Sequence, residues 1–404
     1  MAFADWWAEL LPVGRDELTG GYRRYSWTEA DAACRAWFAR TATHLGLRTD
    51  CDRNGNLWAW WGRPGDKQAV VTGSHLDSVP DGGAFDGPLG VVTAFAAISR
   101  LREDGFRPAR PIGVAAFTEE EGARFGVACL GSRLLTGAIA PAAARALTGA
   151  DGVTLAEAMA AAGRDPGAIG PDEDLLAGIG AYVEVHIEQG QGLAELGAAV
   201  GVAEAIWPHG RWRLDFTGRA DHAGTTRLTD RHDPMLPFAA AVIAARDAAG
   251  RYGALATIGK VTAEPGAANA ISSAVHAWLD ARAADEATLD RLVADVWAEA
   301  QAAAYEHGVA ATRHRESVTA AVTFDRALRN RLAGVLQAAG LTAPVLPTGA
   351  GHDAGVLAAR IPTAMLFVRN PTGVSHSPAE RAELADCETG VTALTAVLAD
   401  LAAD

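Results

Sequence analysis

Cysteine is scarce in this chain: four residues in 404 (Cys34, Cys51, Cys129 and Cys387), far apart and with no C-x-x-C pair. That excludes a disulfide-stapled small fold and points to reduced, mostly buried thiols in a cytoplasmic protein. Positive charge is also short. Lys and Arg number 35 against 49 acidic residues, a net charge of −14, which disfavours partners built on phosphate, whether nucleic acid or an anionic membrane surface. Long hydrophobic runs are missing; the apolar stretches are short, Ala-rich and broken by charge, which excludes a helical membrane span. The opening MAFADWWAELLPVGRDE has neither a basic n-region nor an h-region, so no secretory signal is expected. There is no internal repeat and no low-complexity linker. What remains is a composition of 49% hydrophobic and 21% charged residues, near the globular average, and length for two or three domains.

The first part of the chain alternates strands and helices. Thr28 and Asp31 open a helix that runs to Leu45, with Gly46 at its end. Strand-like runs follow at Leu57–Trp61 and Ala69–Thr72, then a buried helix at Leu89–Arg102 and strands at Ile112–Phe117 and Tyr182–Ile187. This order predicts an α/β sheet with largely parallel strands. From about Trp207 the texture changes. Strand Arg211–Phe216, a helix near Leu236–Ala248, strands Leu255–Val261 and Ala274–Ala281, a helix from Ala287 to Tyr305 and a strand near Val318–Val322 give a β-α-β-β-α-β order. That fits a ferredoxin-like, four-stranded sheet covered by two helices. The α/β alternation then returns with a helix over 326–339, strands at 344–346 and 363–368, and a helix over 379–402. The expected architecture is therefore one α/β domain (1–206 and 319–404) interrupted by an α+β domain (207–318).

Four polar clusters fall at predicted strand ends. In Gly73-Ser74-His75-Leu76-Asp77, His75 closes a buried strand, and Asp77 is placed to accept its imidazole N–H and fix its tautomer. Asp86 follows in the glycine-rich Gly82-Gly83-Ala84-Phe85-Asp86-Gly87. Read alone, this cluster admits a metal or a plain turn. Thr118-Glu119-Glu120-Glu121 follows the strand Ile112–Phe117; three adjacent carboxylates repel one another unless a cation compensates, although Glu119 also suits a solvated helix start. His186 in Glu184-Val185-His186-Ile187-Glu188-Gln189 and His376 in Gly373-Val374-Ser375-His376 complete the set. A single histidine is usually structural. Three histidines and two carboxylate clusters on one sheet rim together suit Zn²⁺, Mn²⁺, Co²⁺ or Ni²⁺.

The segments GSHLDSVPDGGAFDGPLGV, TEEEGARF, HIEQG, HAGTT, GAGHDA and GVSH, in that order and spacing, span almost the whole chain. They resemble the metal-dependent amidohydrolases that remove ureido groups: N-carbamoyl-L-amino-acid hydrolases, allantoate amidohydrolases and β-ureidopropionases. The resemblance implies a di-metal catalytic domain, an inserted lid and dimerisation domain, and a homodimer. By it, His75 and His186 hold one divalent ion and Glu121 and His376 a second, with Asp86 bridging; Zn²⁺ or Mn²⁺ is expected, with Co²⁺ or Ni²⁺ as alternatives. Glu120 matches the general base. His222, Asn269 and Arg282 match lid residues that reach the partner subunit's site, and Gln189 and Gly351 match substrate contacts. His352 and Asp353 are open between a supporting role at the metal site and a structural one. The implied substrate is a small carboxylate with a ureido group. Phe85-Asp86-Gly87-Pro88-Leu89-Gly90 favours a carbamoyl amino acid over allantoate or β-ureidopropionate. A non-catalytic binding relative is the rival of another class. The chain departs from the family pattern at Ser272 and Arg227, where relatives often carry proline.

Overall fold

A computed structural model describes residues 3–65 and 67–403, which divide into two compact units. One comprises residues 1–205 and 323–404, the other 206–322.

The first unit is built on a mixed sheet. Its centre is parallel: Ala69–His75 lies between Ile112–Phe117 and Ile179–Ile187, and Ile179–Ile187 pairs in turn with Thr363–Val368. These four are the strands whose residues are almost all buried, as expected for strands covered on both faces. The flanks are antiparallel, with Leu57–Trp61 and Arg48–Cys51 on one side and Val200–Ile206 on the other. The expectation of a largely parallel sheet is thus corrected to a parallel centre with antiparallel edges. The edge strand Arg48–Cys51 has no apolar pattern to announce it, since its burial reads exposed, exposed, exposed, intermediate.

Helices Pro88–Glu103 and Leu384–Leu401 cover the sheet within one continuous core. Phe95 sits edge-on to Trp37 and Phe38, with ring centroids 5.9 and 5.0 Å apart. Truncating such a fully buried ring costs about 3–5 kcal/mol. The helix Glu29–His44 is capped as expected, Thr28 accepting from the Asp31 amide. The last helix starts at Leu384 rather than at 379. Residues 379–383 stay irregular because Glu380 turns inward, as described below.

The second unit is a four-stranded antiparallel sheet ordered Ala310–Thr319, His209–Thr217, Ala274–Arg282, Leu255–Glu264. Strict alternation along Ala274–Arg282 buries Val275, Ala277, Leu279 and Ala281 against helices Met235–Tyr252 and Glu286–Glu306. The fourth strand is Ala310–Thr319, not Val318–Val322. It lies at the sheet edge with every residue exposed or half-buried, so AATRHRESVT carries no hydrophobic period to read.

Candidate metal centre

The site residues of the first unit lie where open α/β sheets place ligands, beyond the C-terminal ends of parallel strands. His75 is the last residue of its strand and His186 the penultimate residue of the next. Glu119, Glu120 and Glu121 follow Ile112–Phe117, and His376 lies in the segment after Thr363–Val368. Asp86 precedes Gly87, the N-terminal cap of helix Pro88–Glu103. Gly87 has φ +84°, and a Cβ there would meet the His75 ring at 2.4 Å. Only glycine lets the loop close over that imidazole.

Two donor groups form and share one carboxylate: His75, Asp86 and His186 in one, Asp86, Glu121 and His376 in the other. Asp86 Oδ1 lies 3.2 Å from His186 Nε2 and 3.6 Å from His75 Nε2, and Asp86 Oδ2 lies 3.4 Å from His376 Nε2. His376 Nε2 is 3.6 Å from Glu121 Oε2. The first group is fully buried; the second opens to solvent through His376, whose side chain is 52% exposed. A third group, Glu184, His186 and His352, overlaps the first.

The charges are mutually dependent. Burial raises Glu121 to about 7, helped by Asp86, and raises Glu120 well above the carboxylate range, with His75 opposing and Asp353 and Glu121 adding to it. Asp86 goes the other way: burial would lift it, but hydrogen bonds from His186, His376 and His75 hold it well below. The bond to Asp86 lifts His376 to about 9 against its partial burial. Burial opposes charge on His75, yet Glu120, Asp77 and Asp86 outweigh it. Carboxylates crowded this closely need cations, and the imidazoles supply them only by holding protons. Divalent ions would meet the same need, so the donor set fits a metal centre with oxygen and nitrogen ligands.

Glu120 belongs to neither donor group. It is 6% exposed, its Oε1 accepts from the Cys129 thiol at 3.2 Å and its Oε2 lies 3.7 Å from His75 Nε2. Asp77 does more than face the imidazole. Its backbone carbonyl lies nearer to His75 Nδ1 (3.2 Å) than its carboxylate does (3.6 Å). The carboxylate also accepts the amides of Glu120 and Glu121, at 3.2 and 3.0 Å. Nor does Glu119 begin a solvated helix: it is buried, has φ +56°, and its Oε1 accepts the Arg124 and Phe125 amides at 2.8 and 2.7 Å. Both carboxylates hold the loop that carries the other two.

Gln189 Nε2 donates to Asp86 Oδ2 at 2.9 Å and to Ser375 Oγ at 3.2 Å, while its buried Oε1 has no partner. Gly351 is exposed, and the Ala350 amide beside it is already bonded to Thr348 Oγ1 at 3.1 Å. His352 packs edge-on to His186 with its Nε2 unpartnered, and Asp353 accepts from Ser132 Oγ. In the second unit, His222 and Asn269 share a short antiparallel ribbon, Ala223 N donating to Asn269 O at 3.1 Å. Arg282 ends its strand and pairs with Asp280 at 2.9 Å.

Sequence reasoning missed Cys129, Glu184, Ser375 and Glu380 as parts of this centre. Glu184 had a readable signal, a carboxylate inside the apolar strand Tyr182-Val183-Glu184-Val185; it accepts from Ser74 Oγ and the Ala354 amide. Among the described residues, no helix is long and apolar enough to cross a membrane.

The donor set at the parallel centre of this mixed sheet fits a metal-dependent enzyme. Comparison with known proteins gives the family. The sequence profile of peptidase family M20/M25/M40 matches residues 71–400, and the chain belongs to that family. It is 36% identical to an N-carbamoyl-L-amino acid amidohydrolase of Geobacillus stearothermophilus over 96% of both chains. It is 32% identical to the allantoate amidohydrolase of Escherichia coli K12, over 97% of this chain and 96% of that one. A hydantoinase/carbamoylase family amidase from Burkholderia multivorans superposes with a TM-score of 0.88 at 29% identity, covering 100% of this chain and 97% of the other. The chain is thus a hydrolase of the amidohydrolase type, acting on non-peptide C–N bonds.

Proposed function

We propose that the protein hydrolyses the ureido C–N bond of an N-carbamoyl-L-amino acid, giving the amino acid, CO₂ and ammonia. The observation that carries this reading is the pair of donor groups sharing Asp86, with the uncommitted carboxylate of Glu120 beside them. His75, Asp86 and His186 would hold one divalent ion, and Asp86, Glu121 and His376 the other, with Zn²⁺ or Mn²⁺ the best match and Co²⁺ or Ni²⁺ also suited to the donors. When bound, such ions polarise the scissile carbonyl and acidify the attacking water. Glu120 takes the proton of that water through the oxygen facing His75, the other being held by Cys129, and later returns it to the departing nitrogen. The free Oε1 of Gln189 suits a ureido N–H, and the Arg282 fork suits the substrate carboxylate. His222 would stabilise the developing oxyanion, with Asn269 and Gly351 as further substrate contacts.

The second unit is assigned as lid and dimerisation domain of a homodimer. Two features support this. Leu255–Glu264 is the edge strand of its sheet among the described residues, with Leu255 and Val261 exposed, a template for pairing with a second copy. The adjoining helix Met235–Tyr252 exposes Met235, Leu236, Val242 and Ile243. The four free thiols fit a cytoplasmic location.

Allantoate is the second substrate reading, since relatives of both names align over nearly the whole chain; β-ureidopropionate is the third. An ammonia-release screen over carbamoyl amino acids, allantoate and β-ureidopropionate tests the assignment, and turnover of none of them refutes it. A binding-only protein would also purify with well under one ion per chain. The dimer has its own test. Mixing inactive Glu120→Gln and His222→Ala chains should restore activity, because one site of the mixed dimer regains both groups. No recovery after proven subunit exchange would place His222 within its own chain or outside catalysis.

A further inference from the structure

Glu380 lies outside both donor groups, yet it touches two of the three segments that carry the donors of the more exposed one. Its Oε1 accepts the backbone N–H groups of Phe85 and Asp86, at 2.8 and 3.0 Å. Its Oε2 accepts the Ser375 hydroxyl at 3.3 Å, and that hydroxyl lies equally far, 3.3 Å, from Asp86 Oδ2. Ser375 directly precedes His376. Glu380 is buried, and Gly83 leaves room for it: a Cβ on Gly83 would sit 2.4 Å from Glu380 Oε1.

The two donor groups differ in what holds them. His75 and His186 sit on neighbouring parallel strands, whose backbone ladder fixes their spacing. Asp86 and His376 sit in irregular segments, and His376 has φ +53° and a largely exposed ring. No ladder sets the distance between those two. Gln189 and Glu380 each bond to both segments: Gln189 does so through the side chains of Asp86 and Ser375, whereas the Glu380 carboxylate holds the backbone, on the amides of Phe85 and Asp86, as well as the Ser375 hydroxyl beside His376.

We propose that Glu380 is the positioning residue of the more exposed cation site: by holding the Phe85 and Asp86 amides and the Ser375 hydroxyl, it keeps Asp86 and His376 at the separation one ion needs. It is in neither donor group, and both its oxygens already accept from protein donors. This inference rests on the two-ion reading above. It predicts an asymmetry. The buried ion retains two strand-borne histidines when Glu380 is lost, whereas the exposed ion loses the alignment of two of its three ligands.

The test is Mn²⁺ binding to the chelator-stripped full chain, followed by calorimetry and by the EPR signal of unbound ion. Wild type should show two binding steps. Glu380→Ala should weaken the weaker step about 10–100-fold, the usual cost of removing a group that orients a metal ligand, and change the tighter step less. Glu380→Gln should recover most of that loss, because its carbonyl oxygen still accepts the two amides. Ser375→Ala removes only one leg of the clamp and should weaken the same step by a smaller factor, so the inference stays testable if Glu380→Ala folds poorly by circular dichroism. Two unchanged steps, or equal weakening of both, overturn the clamp alone. A wild-type chain that binds one ion or none overturns the two-ion reading and the clamp with it.

Discussion

Replacing Glu120 by Gln is the most discriminating single change, because Glu120 and Glu121 are neighbours with opposite assigned roles. Glu120→Gln keeps the side-chain shape, and its carbonyl oxygen can still accept from Cys129 Sγ. What it loses is the ability to take a proton. General-base catalysis contributes roughly 10²–10⁴-fold, so kcat should fall by that factor, an increase in barrier of about 3–5 kcal/mol. Metal content should hold, since Glu120 is in neither donor group. Stability should hold too. In wild type, burial and the neighbouring carboxylates Asp353, Glu121 and Asp77 push Glu120 toward its neutral form, so a neutral amide relieves repulsion rather than stranding a charge. Glu121→Gln should behave oppositely, replacing a carboxylate of the Asp86–Glu121–His376 group and lowering metal content. Steady-state ammonia release, elemental analysis and a thermal melt on the two variants decide the matter. If Glu120→Gln loses metal and Glu121→Gln keeps it, the roles are reversed. If Glu120→Gln keeps full kcat, the general base lies elsewhere.

Metal stabilisation should grow with pH. Glu121 near 7 and His376 near 9 both lie above their ordinary values, so the metal-free fold holds protons that the ions must displace, and their release favours binding as pH rises. The rise in melting temperature on adding Mn²⁺ should therefore increase from pH 5 to pH 9, more steeply below pH 7, where both groups still release protons; a gain that is flat or shrinks with pH contradicts the assigned ligands. Arg282→Ala should cost about 2–3 kcal/mol in kcat/KM for carboxylate substrates, the scale of a lost charge-assisted hydrogen-bond pair, with Asp280 left to repel the substrate. Amide analogues should lose far less, and equal losses on both would remove Arg282 from carboxylate recognition.

How much of this centre could be read from the sequence depended on where each interaction keeps its information. Strands buried on both faces announce themselves by composition alone, so Ile112–Phe117 and Thr363–Val368 were readable to their ends. Histidines placed at such ends were then readable as a converging set. The polar edge strand Ala310–Thr319 was not, because its stability comes from pairing with His209–Thr217 rather than from any apolar face of its own. Side chains that bond to backbone amides were the least readable. A backbone N–H has no residue identity, so nothing in the sequence couples Asp77 to the amides of Glu120 and Glu121, or Glu380 to those of Phe85 and Asp86 almost 300 positions earlier. Asp77 was accordingly read only as a partner of the nearest imidazole, two residues away, although its carboxylate also holds the next loop. The candidate donors of this centre were legible as residue types, whereas the groups that aim them are defined only once the fold has brought their acceptors to a particular backbone.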